Sequence, residues 1–414
     1  MAFFSRFFAT PDRTPLPTLE ELLQARNLPL DLPGLDPFRN EIRHMKADER
    51  NHWADALAET VAGGWSLPPD WIDAQFDLVP EIVPHWMAER DGFFFRPHIE
   101  GLAIRVLACG QVMPAPWLVL WGLSADDVLD RAMDQLRDRS KDQPFKRLPS
   151  GIYQGVFEDG RAASRILLPE LWKGLFAGQN TFVAVPAQDR LLLAPQVLLP
   201  KLVEAIGATP AESNRIMATI FQQVGEHLLP ANLQDPHPIA QPQRELRQTD
   251  LAEAYRAQEE SLPPELGRPA PLGLLRTQQG RSVSVATWQE GPAVLLPEAD
   301  LVAFIAASGQ ALGIFFRQTL PRISELHGTP VEIWGPRRLR YEGFPTAAQL
   351  ERLECFATGE QMASLIKGAA QPPAPRPSTA SLANQAASGA LSAQASSPVP
   401  AHLRGLSLGN QSED

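Results

Sequence analysis

Residues 151–206 read GIYQGVFEDGRAASRILLPELWKGLFAGQNTFVAVPAQDRLLLAPQVLLPKLVEAI, and this stretch sets the fold class. Gly151 to Phe157 alternates apolar and polar residues at the two-residue period of a strand. Glu158-Asp159-Gly160 supplies a turn, because Asp-Gly tolerates the positive φ of a tight hairpin. Ala162 to Leu168 is expected to return as the partner strand. Pro169 then opens a short helix through Phe176, since proline at the first helical position forfeits no hydrogen bond and Glu170 favours the positive helix end. Phe182 to Val185 and Leu191 to Leu193 form a second strand pair about Pro186–Asp189, and Pro200 opens a helix over Lys201–Ile206. Short strands and helices in this order make an α+β module.

A weaker echo lies further along. Val283 to Trp288 reads as a strand, Gln289-Glu290-Gly291 as a turn and Ala293 to Leu296 as the return strand, with Pro297-Glu298 opening a helix. Leu295-Leu296-Pro297-Glu298 thus repeats Leu167-Leu168-Pro169-Glu170. Val331–Trp334, the turn Gly335–Arg338, Leu339–Tyr341 and a helix over Pro345–Leu353 follow the same grammar. Either the module is duplicated or the grammar is simply common; Leu198-Leu199-Pro200 is a third copy.

At 414 residues the chain is long enough for two or three domains. A net charge of −11 without a long basic run argues against a nucleic-acid surface. Two cysteines, Cys109 and Cys355, make no disulfide framework and fit a reducing, cytoplasmic setting. No apolar run approaches the ~20 residues of a membrane span. The 40 prolines are about twice the ordinary ~5% share, which many short, proline-closed elements would produce. The opening MAFFSRFF lacks the 7–15-residue apolar core of a signal peptide. Phe3, Phe4, Phe7 and Phe8 share a helical face, either a partner or membrane-surface anchor or a helix tucked onto its own domain; one arginine gives little attraction to anionic lipid.

Residues 1–90 read as a helical region. Thr18 and Glu21 form a capping box, Ala47 to Ala62 is a helix stopped by Gly63-Gly64, Asp70 starts another, and Leu78 to Glu89 is an apolar, proline-broken buried stretch. An α+β domain is expected over 91–229. It holds strands at Phe93–Phe95 and Leu102–Leu107, an extended piece in Met113–Trp121, and a helix capped by Ser124 that turns Val128, Leu129, Ala132 and Leu136 inward. It ends in a helix over Pro210–Leu229. Residues 230–270 read as a proline-rich linker framing one helix, Asp250–Glu260, with Asp250 near its N-terminal cap, and 271–367 as a C-terminal α+β domain. Residues 368–414, rich in Ala, Ser, Pro and Gln, bury too little apolar surface to offset ordering and are expected to be disordered, with Leu403–Leu408 as a short docking motif.

Three patches carry a family resemblance. They are Trp121 with Ser124 to Arg137; Tyr153, Asp159-Gly160 and Ala163 to Leu167; and Val183 to Pro186 with Gln188-Asp189 and Leu191 to Leu193. In order and spacing, residues 102–206 resemble the YtpQ-like bacterial proteins, a family of uncharacterised function. The resemblance implies architecture and assigns no catalytic residue.

The sequence contains no phosphate-cradling glycine loop, nucleophile elbow, HExxH or Cys-x-x-Cys. His85, His98 and Cys109 would make a Cys-His nucleophile only if folded together; otherwise Cys109 is a small buried apolar side chain. Glu158-Asp159 and Asp126-Asp127 are assigned to a turn and a cap, so no metal, cofactor or catalytic residue is expected. Arg337, Arg338 and Arg340, beside Trp334 and Tyr341, are the densest positive spot and are read as a grip for an acidic partner or ligand, or else as charge guarding a sheet edge. The expected function is a non-catalytic protein-binding or scaffolding module with an unidentified protein partner. The alternative is an enzyme with a polar cleft between the two α+β modules, marked by a shifted titratable group. A peripheral membrane role through the Phe-rich start comes third.

Overall fold

The computed structural model describes residues 16–362 other than 37, 142–144, 177, 211–213, 232, 234–236 and 278–280, all within one compact unit. The Phe-rich start, the segment from 368 onward and Leu403–Leu408 lie outside the described residues. The fold is α+β, with four sheets among the described residues.

The first region begins as expected. Thr18 and Glu21 cap Leu19–Ala25 reciprocally, and Ala47–Ala62 forms one helix ended at Gly63-Gly64, where Gly64 has φ +70°. These helices do not stand alone. Leu22, Leu23, Trp53 and Leu57 share a core with Leu78, Val106, Trp117 and Val128. The boundary expected at residue 90 is therefore corrected: Leu78–Pro84 is a fully buried strand paired antiparallel with Leu102–Ala108. Pro80 and Pro84 forbid a helix interior, and Val79, Ile82 and Val83 suit a pleated surface. Glu81 is tolerated there because Arg105 lies opposite and binds it. A second correction concerns Met113–Trp121, where Pro116–Trp121 is helical and buries Trp117 and Leu120. Ser124 caps Ala125–Ser140 as expected.

The middle sheet has six strands, in the order His227–Pro230, Ile220–Val224, Thr181–Ala187, Arg190–Pro195, Tyr153–Gly155 and Phe145–Arg147. Tyr153–Gly155 pairs with Arg190–Pro195 and Phe145–Arg147, not with Ala162–Leu168. Residues Ala162–Leu167 form a 3₁₀ helix instead. That coil draws Arg165 inward, where Nη1 bonds both Asp159 carboxylate oxygens at 2.8 and 2.6 Å and Nε donates to Ser140 Oγ at 3.0 Å. A strand would have sent alternate members of this small, mostly apolar run outward; all of Ala162 to Ile166 are buried. The helix expected over Pro210–Leu229 is a hairpin, because Ile220 and Phe221 extend the sheet beside Val183 and Ala184 and Gly225 turns it at φ +65°. The spacing of Ile216, Ile220 and Val224 imitates a helical stripe.

The last region holds two sheets. One runs Arg268–Pro269, Val294–Pro297, Arg338–Tyr341, Thr329–Pro330; the other runs Leu272–Arg276, Ser282–Gln289, Leu301–Ile305, Ala311–Phe316, Cys355–Thr358. The hairpin expected between Val283–Trp288 and Ala293–Leu296 is thus absent, since the two strands lie in different sheets. Pro297-Glu298 leads into the buried strand Leu301–Ile305 rather than a helix, so the two Leu-Leu-Pro-Glu segments have different settings. Trp288 packs on Phe304 and Tyr341, with ring centroids 5.2 and 4.9 Å apart.

The expected linker is also corrected. Ala240–Glu259 is one 20-residue helix beginning ten residues before Asp250. Pro242 sits in its first turn, where a missing N–H breaks no helical bond. Leu246 packs against the core of Leu202, Ile206 and Ile239, while Tyr255 and Gln258 reach into the last region.

Replacing Arg165 by methionine should cost about 2–4 kcal/mol in urea unfolding, because it strands the Asp159 carboxylate. Adding Asp159→Asn should restore part of the loss; a double variant no better than Arg165→Met would show that the ion pair does not set the cost.

Candidate functional site

The three arginines singled out in the sequence have different fates. Arg338 is fully buried, and its five N–H donors are all engaged. Nε bonds Gln258 Oε1 at 2.6 Å; Nη1 bonds the carbonyls of Ala270 and Leu295 at 2.9 and 3.0 Å; Nη2 bonds the Tyr255 carbonyl at 3.1 Å and Glu259 at 3.2 Å. The guanidinium also lies 4.8 Å from the Tyr255 ring centroid. Nothing is left to grip a ligand, so Arg338 is a structural residue. Arg340 is half-buried and pairs with Glu342 at 3.2 Å. Arg337 is exposed, and its carbonyl accepts from the Tyr255 hydroxyl at 2.8 Å.

Nor does their turn project freely. Gln258 Nε2 donates to the carbonyls of Trp334 and Pro336, the Gly335 N–H donates to Glu89 at 2.8 Å, and Trp334 stacks on Trp86 at 6.0 Å. The turn joins the first region to the last.

Cys109 is exposed, not buried, in the turn after Leu102–Ala108, with φ +51°. Partial burial and the negative charges of Asp77 and Asp73 push its thiol up, away from a reactive thiolate. His85 sits 3.6 Å from Glu89 and edge-on to Phe95, and burial pushes His98 down. Asp126 pairs with Arg96, Asp127 completes the Ser124 cap and Asp159 holds Arg165. Among the described residues no group of three or more His, Cys, Asp or Glu is placed to hold a metal, and no helix is long and apolar enough to cross a membrane.

One titratable group between regions is strongly shifted, and the sequence reading misplaced it as a helix cap. Asp250, mid-helix with its side chain 20% exposed, accepts from the Ala218 N–H at 2.5 Å and from Arg215 Nη2 at 3.2 Å. Burial pushes its carboxyl up to about 6; Arg215 and the Ala218 N–H only partly oppose this. Both oxygens are committed to holding the helix on the loop before Ile220, which is a fastening, not a catalytic arrangement.

Sheet edges supply the remaining candidate. Of the eight strands that end the four sheet paths, five contain proline: Leu78–Pro84, Phe95–Pro97, His227–Pro230, Arg268–Pro269 and Thr329–Pro330. Phe145–Arg147 is short and basic, and Cys355–Thr358 joins its neighbour through a bulge. Proline, shortness, charge and bulges all hinder further pairing. Leu272–Arg276 has none of these devices beyond its terminal arginine. Its register with Ser282–Gln289 fixes which backbone groups face out. Thr277 bonds Arg281, and Thr287 bonds Pro271; in an antiparallel ladder Gly273 and Leu275 therefore face inward, while the N–H and C=O groups of Leu272, Leu274 and Arg276 face the open edge. Leu274 is 41% exposed there.

Two outcomes are expected. Arg337→Glu should leave the urea midpoint nearly unchanged, whereas Arg338→Leu should cost about 3 kcal/mol or more by stranding Glu259 and several buried carbonyls. For Asp250, a folded-state value near 6 lies above the ordinary 3.8, so the folded form binds this proton more tightly. That stabilisation is complete below about pH 4 and is lost as pH rises through about 6. Asp250→Asn should flatten this part of the stability–pH profile; an unchanged slope would assign it elsewhere.

No family model, curated protein or solved structure matches the chain.

Proposed function

We propose that the chain is a non-catalytic, cytoplasmic protein-binding module that takes up a partner by strand addition along Leu272–Arg276. The observation that carries this is the contrast among edges: Leu272–Arg276 turns the N–H and C=O groups of three alternate residues outward, one of them the exposed Leu274, while its counterparts are closed by proline, brevity or a bulge. Main-chain pairing at such an edge supplies affinity, and alternate side chains supply selectivity. The engagement of Arg338 and Asp250 in internal bonds favours this over the enzyme reading, because the two most conspicuous polar groups are spent on structure. Two exposed free cysteines suit the reducing setting. The resemblance of 102–206 to YtpQ-like proteins belongs to the same proposal and concerns architecture.

The test uses a proline that removes one outward N–H without touching the inner ladder. Leu274→Pro should keep the fold by circular dichroism and lower recovery of the partner from the native host by tenfold or more. Undiminished recovery by a folded variant would reject strand addition at this edge.

A further inference from the structure

Resting on that reading, we infer that the occupant of the Leu272–Arg276 edge is an extended segment of a partner protein that carries a carboxylate opposite Arg276. The charge around the edge supports this chemistry. Arg276 terminates the strand with its side chain 72% exposed, and Arg281, whose carbonyl accepts from the Thr277 N–H, is exposed. Glu245, on the long helix, lies 3.5 Å from Arg276, but its same oxygen also accepts from Ser282 Oγ at 2.7 Å. The carboxylate beside Arg276 is thus already committed to Ser282. The other end differs: Leu272 and Leu274 stand on the same face as Arg276 by strand alternation and offer apolar surface. An added strand would therefore place apolar residues against Leu272 and Leu274 and an acidic residue against Arg276.

A second copy fits this edge less well. Antiparallel pairing about a two-fold axis through Leu274 would set each Arg276 opposite Leu272 of the other copy, matching charge with an apolar side chain.

The experiment uses two fluorescein-labelled nine-residue peptides of alternating valine and threonine, one bearing two glutamates at the end that meets Arg276 and the other two lysines. Fluorescence anisotropy with the full chain at low salt should show the glutamate peptide binding about fivefold more tightly, as expected for favourable cross-strand charge pairs. The preference should shrink at 1 M salt. Arg276→Glu with Arg281→Glu should reverse it, and Leu274→Pro should weaken both peptides. Equal binding of the two peptides, both sensitive to Leu274→Pro, would overturn the acidic partner while leaving strand addition standing. Binding insensitive to Leu274→Pro would overturn both. A dimer in light scattering that Leu274→Pro dissolves would replace the acidic partner by a second copy.

Discussion

A guanidinium group removed from water must find an acceptor for each of its donors, and this requirement at Arg338 holds the last region together. Its bonds reach the Leu295 carbonyl of one strand, the Ala270 carbonyl just after another, a carbonyl and two side chains of the long helix, and an aromatic face. No one of these elements can shift without breaking a bond that lacks solvent compensation. The middle sheet uses the same solution. Arg165 is buried, lies 4.3 Å from the Phe157 ring centroid and is neutralised by Asp159. In both places burial pushes the guanidinium down, opposed by its carboxylate partner.

Proline has a related role in the sheets. Strands that end a sheet path recurrently contain one, as Pro84, Pro97, Pro230, Pro269 and Pro330 show. The abundance of proline is thus partly a pattern of closed edges, as well as the way short elements begin and end. Against that pattern, an edge without proline gains significance that it would lack in a protein where open edges were common.

Local chemistry was legible in the sequence wherever one residue governs one bond. The capping boxes at Thr18 and Ser124, the glycine stop after Ala62 and the Phe182–Leu193 hairpin follow from side-chain geometry over a few residues. What the sequence could not show is where partners far along the chain would lie. Ala162–Leu167 and Ile220–Pro230 were misread because the choice between coil and strand depended on Arg165 reaching Ser140 and on Phe221 meeting Val183. The place of Arg338 within the arginine cluster is hidden for a similar reason. The cluster's density is visible in one dimension, but the burial of Arg338 beneath a helix some 80 residues earlier, at Gln258, is not. Asp250 resembled a cap because the helix start at Ala240 was obscured by Pro242.

The helix Ala240–Glu259 is fastened by its middle to the loop before the Ile220–Val224 strand, through Asp250, and near its end to the turn at Trp334–Arg337, through Tyr255 and Gln258. Such a tie should make the two parts open as a single cooperative unit in hydrogen exchange. Amides on either side should then share a slowest opening reaction, and a protease that nicks the helix near its centre would loosen both at once.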